Sequence, residues 1–387
     1  MREVVEQVRV AFRYEWDTWP RGEGSFDSIL AERREFRVGD RLVRERIYPV
    51  HLAFVRAGDR VLPIVPGDIN NLKPPSQKVL DQYVWDLEVL AADGVTSIVW
   101  EHGMNCYPVV AAHLKRLFRL AILTFGDDCP GSSEIKTFPI AKHFDALIYN
   151  MFIWNGATGE RAKDKYQALG IPYCVFAPNT ETAGLENFIR DSAFDVEDKL
   201  AALEEGRAES TLVFVGAGFG ESRMMIVRGL LNERENLAAE GVTLKLLGSG
   251  MPGGLASPFQ PPHPRGLGYP IGALYEDAAW GWNTPISSIF NCRLIDLIRM
   301  GVLQFICDRY GELREQGFLP EVHYAAYDGT PSGLIARVLA AKIDPKGSAQ
   351  IARAALVRLK VFKEETKQER IFDGIYEAHA KQLERGR

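Results

Sequence analysis

Short apolar, β-branched runs alternate along this chain with longer amphipathic stretches. The alternation predicts parallel strands connected by helices, which is typical of an α/β protein. In the first half, we predict strands at Val8–Tyr14, Arg60–Val65, Ser97–Trp100, Leu120–Thr124, Ala146–Tyr149 and Tyr173–Phe176. The helices predicted between them are Pro75–Asp93, Tyr107–Phe118 and Gly159–Leu169. The last is followed by Gly170 and Pro172, which end helices.

A charged, helix-favouring segment from Thr182 to Ser210 separates two halves of the chain. After it the pattern starts again, with a strand at Thr211–Val215, a helix from Glu221 to Ala239 and a strand at Thr243–Leu247. We therefore predict two Rossmann-like domains, residues 1–185 and 211–367, joined by a linker at 186–210. Residues 368–387 are predicted as a C-terminal helix, with the N-terminal domain as its candidate packing partner.

The composition agrees with this organisation. A chain of 387 residues exceeds the length of about 250–300 residues at which a single core stops growing. A net charge of −5 argues against broad attraction to nucleic acid, so no nucleic-acid partner is expected. No apolar run approaches the ~20 residues that span a bilayer. The five cysteines form no C-x-x-C pair, which favours reduced thiols over disulfides or a zinc site. We expect a soluble cytoplasmic protein.

The segment Gly216–Gly220, with the sequence GAGFG, connects a predicted strand to a predicted helix. Glycines let backbone N–H groups approach an anion, and the helix N-terminus adds partial positive charge. The dinucleotide fingerprint requires glycine or alanine where Glu221 stands, so an NAD(P) or FAD site is disfavoured. A phosphate-binding turn and a tight turn without a ligand both remain open. Arg223, in the first turn of the helix, is either a diphosphate ligand or a solvated arginine.

The segment NCRLIDLIRMG contains an arginine, an acid three residues later and a glycine five residues further on. These residues are Arg293, Asp296 and Gly301, and they precede a predicted strand. Further along, a histidine and a tyrosine precede an acidic turn, and a predicted helix ends in Asp-Pro. The residues at those positions are His323, Tyr327, Asp328, Asp344 and Pro345.

This order, from Thr211 to Ala380, resembles the C-terminal half of GT-B glycosyltransferases, and most closely their CgeB-like branch, related to glycosyl transferases group 1. The resemblance implies two Rossmann-like domains that face a central cleft. It also implies transfer of a sugar from a nucleotide-activated donor, with a leaning to retention of configuration. Related retaining enzymes often carry a further acid eight residues before the position of Asp296, where this chain has Ser288.

The resemblance also implies roles for individual residues. Gly218, Gly220, Arg223 and Arg293 are expected to contact the donor diphosphate, whose leaving charge would be met without a metal ion. Asp296 is expected to accept hydrogen bonds from the ribose hydroxyls, with helix capping or a salt bridge as the alternative. Asn283 is a candidate donor ligand, and so are Trp280 and Trp282, for which packing in the core is the alternative. No cofactor is expected, since the nucleotide sugar is a substrate.

The acceptor and any catalytic base are expected in the first domain, where ligands of open α/β sheets gather at the carboxyl ends of the strands. His102 follows the third strand and suits proton transfer or a hydrogen bond to a sugar hydroxyl, unless it is structural. Asp127 and Asp128 follow the fourth strand. They are expected to bind the acceptor or cap a loop, because the D-x-D spacing of metal-dependent transferases is missing. The acceptor is a glycan, a lipid or a small molecule. Peripheral membrane contact through His113–Arg119 is one option, but an amphipathic helix packed on the sheet is the favoured interpretation of that segment.

Three functions are therefore compared. The first is a metal-independent, retaining glycosyltransferase. The second is a non-catalytic GT-B-like module that binds a nucleotide or a glycan, which Ser288 and the lack of an unmistakable base keep open. The third is an NAD(P)-dependent oxidoreductase, which Glu221 disfavours.

Overall fold

The computed structural model describes residues 7–11, 34–38, 41–45, 60–63, 76–101, 106–125, 137–155, 158–178, 185, 189, 192, 194–216, 220–247, 271–284, 288–366 and 368–385. The strands are β1 (Gln7–Ala11), β2 (Arg34–Val38), β3 (Arg41–Glu45), β4 (Arg60–Pro63), β5 (Ser97–Glu101), β6 (Leu120–Phe125), β7 (Ala146–Tyr149), β8 (Ile153–Asn155), β9 (Glu160–Arg161), β10 (Tyr173–Phe176), β11 (Thr211–Val215), β12 (Thr243–Leu247), β13 (Trp280–Asn283), β14 (Leu303–Ile306) and β15 (Ala325–Ala326).

The helices are α1 (Gln77–Ala92), α2 (Pro108–Leu117), α3 (Phe138–Ala141), α4 (Ala162–Ala168), α5 (Val196–Glu204), α6 (Glu221–Asn232), α7 (Arg234–Ala239), α8 (Ile271–Tyr275), α9 (Cys292–Arg299), α10 (Glu312–Glu315), α11 (Pro331–Ile343), α12 (Pro345–Glu365) and α13 (Gln368–Arg385). Among the described residues, none of these helices combines the length and the hydrophobicity that a transmembrane segment requires.

The chain divides into two compact units. The first ends at Pro178 and resumes at Thr366, and the second includes Asn179–Glu365. Each unit has a parallel sheet of its own.

The first unit contains a six-stranded parallel sheet with the strand order β10-β7-β6-β5-β1-β4. Successive residues of β6 and β7 belong to two different hydrophobic clusters, because side chains of a strand alternate between the two faces of the sheet. Helices α1, α2 and α4 cover one face, and α13 covers the other through Phe372 and Ile375. Both faces of β6 and β7 are therefore buried, which explains why these two strands are continuous apolar runs rather than alternating ones.

The second unit contains a five-stranded parallel sheet with the order β12-β11-β13-β14-β15. Its central strands β11, β13 and β14 are buried over their whole length. The chain runs from β11 to β12 on one side, and then crosses to β13 on the other side of β11. This reversal of direction is the topological switch point at which open α/β sheets bind ligands.

The predicted α/β class and most predicted elements are confirmed, and β7, β10, β11 and β12 have the predicted bounds. Two predicted helices were wrong in detail. The helix predicted from Glu221 to Ala239 is interrupted at Glu233, which separates α6 from α7. The helix predicted from Gly159 begins at Ala162, after the short strand β9. The antiparallel pairs β2–β3 and β8–β9 and the parallel strands β13 and β15 were not predicted.

Candidate functional site

The candidate site lies at the carboxyl ends of β11 and β13, the two strands on either side of the switch point. β11 ends at Val215 and is followed by Gly216, and β13 ends at Asn283 and is followed by Thr284. Arginines reach these strand ends from two different helices: Arg223 from α6 and Arg293 from α9.

Arg293 connects the ends of the two strands. Its Nε donates a hydrogen bond to the carbonyl of Val215, and its Nη1 donates to Oδ1 of Asn283 at 3.0 Å. The helix that carries it is held by Asn291, whose side chain caps α9 by accepting from the backbone N–H of Leu294 at 3.1 Å. The carbonyl of Val215 and the amide oxygen of Asn283 are both neutral acceptors, and these two bonds position the guanidinium.

The first glycine of the GAGFG turn makes room for this guanidinium. A Cβ atom built on Gly216 would overlap Nη2 of Arg293 and would approach its Cζ to 3.1 Å. The absence of a Cβ atom at Gly216 therefore leaves the space that the guanidinium of Arg293 occupies.

Arg223 is held from the other side of the switch point. It is 5% exposed, and its Nε and Nη2 donate to the carbonyl of Thr284 at 3.2 and 3.1 Å. Burial and, to a smaller extent, the charge of Arg293 lower the pKa of Arg223 to about 10. The prediction left open a solvated arginine, and its burial excludes that alternative.

The aromatic ring of Phe214 lies beside both guanidinium groups. The Cζ atoms of Arg293 and Arg223 are 4.3 and 5.4 Å from its ring centroid, within cation–π range. Trp282 stacks on the same ring with the centroids 4.2 Å apart. The guanidinium groups of Arg223 and Arg293 thus lie together against the buried rings of Phe214 and Trp282. In such a low-dielectric environment, an anion is attracted more strongly than in bulk water.

Three residues that were expected to contact the donor are buried in the second unit. Trp280 and Trp282 belong to the core of the sheet, which is the alternative that the sequence left open. Asn283 is 1% exposed, and its amide donates to the carbonyl of Ile289 at 3.0 Å. Its role in the structure is to hold Arg293 and the segment before α9.

Asp296 lies three residues after Arg293 on α9 and is 1% exposed. Ribose hydroxyls do not reach a carboxylate buried to this extent, so the expected contact requires Asp296 to become uncovered. Gly301, the third residue of the pattern, directly follows the C-cap of α9 with φ +65°, and its N–H donates to the carbonyl of Ile298. The arginine–acid–glycine spacing therefore corresponds to one helix and its end.

Other predicted residues are placed as follows. Gly220 is the exposed N-cap of α6 with φ +89°. Tyr327 follows β15, and its hydroxyl lies 3.2 Å from Oγ1 of Thr284. Gly218, His102, Asp127 and Asp128 lie outside the described residues.

Sequence reasoning missed Phe214, Thr284 and Glu312 as parts of this region. Phe214 occupies a position in an apolar strand, where an aromatic residue looks like ordinary core. Glu312 occupies a charged run, ELREQ, that looks like a solvated helix. Their positions depend on tertiary packing, for which the local sequence carries no signal.

No family model and no curated protein matches the sequence. Solved structures do match over nearly the whole chain. HepE from Anabaena, in complex with UDP, is 11% identical over 97% of this chain and 100% of its own, with a TM-score of 0.50. The UDP-forming α,α-trehalose-phosphate synthase from Burkholderia vietnamiensis is 10% identical over 97% and 99%, with a TM-score of 0.51.

The fold is that of the GT-B glycosyltransferases. A further α,α-trehalose-phosphate synthase, from Burkholderia xenovorans, is 10% identical with a TM-score of 0.50. Identities this low show a common fold, and they do not transfer an activity. The fold implied by the resemblance of the second half is confirmed, with two Rossmann-like sheets.

Proposed function

We propose that the protein is a glycosyltransferase that takes its sugar from a nucleotide-activated donor. The observation that carries the proposal is the convergence of Arg223 and Arg293 at the switch point of the second sheet, in a GT-B fold. Glycosyl transfer leaves negative charge on the departing diphosphate, and preorganised cations stabilise that charge. A bound diphosphate also relieves the repulsion between the two guanidinium groups.

We propose a division of roles within this site. Arg293 binds the diphosphate, and Arg223, which is 5% exposed, binds it once its guanidinium is uncovered. The N-terminus of α6, which begins after Gly220, adds partial positive charge. Asn283 orients Arg293. Gly218 as a diphosphate contact and Asp296 as a ribose ligand stay predictions.

The finer features of the reaction are also proposals. With two guanidinium groups available for the leaving charge, transfer needs no metal ion and no cofactor. Retention of configuration rests on the resemblance of the second half alone. His102, Asp127 and Asp128 remain the candidates for acceptor binding and proton transfer. The acceptor is a glycan, a lipid or a small molecule, and a lipid acceptor would bring the protein to a membrane surface.

One observation favours a second candidate, a module that binds a nucleotide or a glycan without catalysis. Ser288 stands where related retaining enzymes often carry an acid, and its hydroxyl donates to the buried carboxylate of Glu312. Ser288 has no carboxyl group, and the carboxylate of Glu312 is buried. This arrangement therefore offers no carboxylate to a donor sugar at this position.

The first test is a thermal-shift screen with UDP, GDP, ADP, CMP, dTDP and NAD(P)H. A ligand at about 100 times its dissociation constant adds about 2.7 kcal/mol to the free energy of unfolding, which raises the melting temperature by several degrees. We expect one nucleoside diphosphate to stabilise the protein. UDP is the first choice, because HepE binds it in the same fold.

Variants then locate the binding site. Arg293→Ala is expected to abolish stabilisation by the nucleotide, whereas Arg228→Ala, an exposed arginine on the same helix as Arg223, is expected to leave it unchanged. An assay for release of the nucleoside diphosphate from the matching sugar nucleotide then distinguishes the two candidate functions. A transferase releases it, whereas a binding module does not. Stabilisation by NAD(P)H alone, or normal nucleotide binding by Arg293→Ala, would contradict the proposal.

A further inference from the structure

Glu312 is a buried carboxylate that the proposed reaction does not use. It is the first residue of α10 and is 1% exposed. Its Oε1 accepts from the hydroxyl of Ser288 and from the backbone N–H of Phe290 at 3.0 Å. Its Oε2 accepts from the backbone N–H of Ile289 at 2.8 Å. A single side chain therefore holds three consecutive residues of the segment before α9.

That segment leads directly to the arginine site. The carbonyl of Ser288 accepts from the amide of Asn291 at 3.3 Å, and the carbonyl of Ile289 accepts from the amide of Asn283. Asn283 and Asn291 also exchange side-chain hydrogen bonds at 3.3 and 3.4 Å. Asn283 in turn accepts from Nη1 of Arg293, so a continuous set of hydrogen bonds joins Glu312 to the guanidinium.

We infer that Glu312 is a positioning residue for Arg293. It acts through the backbone of Ser288, Ile289 and Phe290 and sets the place of Asn283 and of the first turn of α9. The inference rests on the proposed function, since it concerns the binding of a nucleoside diphosphate by Arg293.

The charge of Glu312 makes it sensitive to an isosteric change. Above its pKa of about 7, Glu312 is an ionised carboxylate, which accepts with both oxygens as the three donors around it require. The charge that faces it is Asp308, a buried acid that is 4.0 Å from Nε of Arg314 and accepts from the hydroxyl of Tyr324 at 3.4 Å. Glutamine in place of Glu312 keeps one acceptor and turns an N–H₂ group toward another donor, so at least one of the three bonds is lost.

A double-mutant cycle on UDP binding tests this role. The full-length wild type, Glu312→Gln, Arg293→Lys and the double variant are titrated with UDP by calorimetry at about pH 8, where Glu312 is ionised. We expect Glu312→Gln to weaken UDP binding about tenfold in the wild-type background, the loss of about one hydrogen bond. In the Arg293→Lys background we expect the same change to weaken it less than twofold, because lysine cannot bridge Val215 and Asn283.

The controls separate positioning from general destabilisation. Glu315→Gln, an exposed acid on the same helix, is expected to leave UDP affinity unchanged. If Glu312→Gln does not fold, Ser288→Ala replaces it in the cycle: it removes one donor, keeps the carboxylate, and is expected to weaken UDP binding about threefold.

The two failures are distinguishable. If Glu312→Gln, or Ser288→Ala in its place, weakens UDP binding equally in the wild-type and Arg293→Lys backgrounds, the carboxylate does not act through Arg293. The same conclusion follows if the substitution changes UDP binding in neither background. In both cases the wild type still binds UDP, and the proposed function stands. A wild type that binds none of the nucleotides overturns the proposed function and this inference together.

Discussion

Gly216 and Arg293 form the closest fit in the site. A Cβ atom at position 216 would overlap the end of the guanidinium, which is the far end of a flexible side chain. The arginine can move away at little cost in folding free energy, but it then loses its place between Val215 and Asn283. The added Cβ would also lie 3.1 Å from Cζ of Phe214, so this ring must shift by a few tenths of an ångström. Function is therefore more sensitive to this position than stability is.

We predict that Gly216→Ala weakens UDP binding about tenfold or more and lowers the free energy of unfolding by no more than about 1 kcal/mol. Calorimetric titration and chemical denaturation measure the two effects. The matched control is Gly374→Ala in α13, where an added Cβ meets no atom within 4 Å. That variant is expected to keep its affinity and to gain stability from the higher helix propensity of alanine. A Gly216→Ala protein with unchanged affinity would show that Arg293 does not need this position.

Glu312 also predicts a dependence of stability on pH. Burial raises its pKa to about 7 although three hydrogen bonds act in the opposite direction. Because the pKa of Glu312 is higher in the folded state, protonation of this carboxyl group stabilises the fold. That stabilisation is fully present below the unfolded pKa of about 4.5 and is lost as the pH rises through 7.

The free energy of unfolding of the wild type, relative to that of Glu312→Gln, should therefore decrease by about 3 kcal/mol between about pH 4 and about pH 8. Denaturation curves of both proteins across this range provide the measurement. Subtracting the Glu312→Gln curve removes the titration of all other groups. A difference that is constant with pH would mean that Glu312 titrates at its ordinary pKa in the folded protein.

Helix α13, near the C-terminal end of the described residues, packs on the sheet of the first unit, whose strands are distant from it in the sequence. Phe372 and Ile375 pack on the first sheet against Val99, Ile122 and Ile148. Along the same helix, the hydroxyl of Tyr173 donates to the carbonyl of Ala378 at 3.0 Å and to Oε1 of Gln382 at 2.7 Å. The helix therefore covers one whole face of β6, β7 and β10.

We predict that Phe372→Ala lowers the free energy of unfolding by about 3–5 kcal/mol, because a fully buried ring leaves a cavity in this layer. Leu383→Ala on the same helix is the control, since that side chain is 52% exposed. Its expected effect is within about 0.5 kcal/mol. Thermal and urea unfolding of both variants check the prediction, and equal effects would indicate that α13 contributes little through its buried face.

The sequence predicts these elements well where the hydrophobic pattern is long and regular, and less well elsewhere. Strands such as β6, β7 and β11 were found because both of their faces are buried and their runs are continuously apolar, whereas the parallel strands β13 and β15 were missed. The β2–β3 pair was missed although Gly39-Asp40, a turn signal, stands between its strands. β8 and β9 have three and two residues, too few for a period to be visible. At the site, the resemblance predicted Arg293, but the burial of Asp296 and of Glu312 depends on neighbours that are distant in the sequence.

At the scale of the whole molecule, the described residues form hydrophobic clusters within each unit. Two clusters of the first unit run from Leu80 to Ala177 and include Phe372 and Ile375, and one cluster of the second unit runs from Leu185 to Val302. The residues proposed to bind the donor diphosphate all belong to the second unit, and those that fix α13 belong to the first. Stability of the first unit and nucleotide affinity should therefore respond to different substitutions.

We predict that Phe372→Ala, assayed well below its melting temperature, keeps a dissociation constant for UDP within about twofold of the wild type. Arg293→Ala should raise that constant at least about a hundredfold, the loss of about 2.7 kcal/mol of a charge-assisted interaction. UDP titrations of both variants at one temperature, with circular dichroism to verify that each is folded, make the comparison. A loss of UDP affinity in Phe372→Ala as large as that in Arg293→Ala would contradict the assignment of the nucleotide site to the second unit alone. It would mean that side chains of the first unit take part in holding the nucleotide.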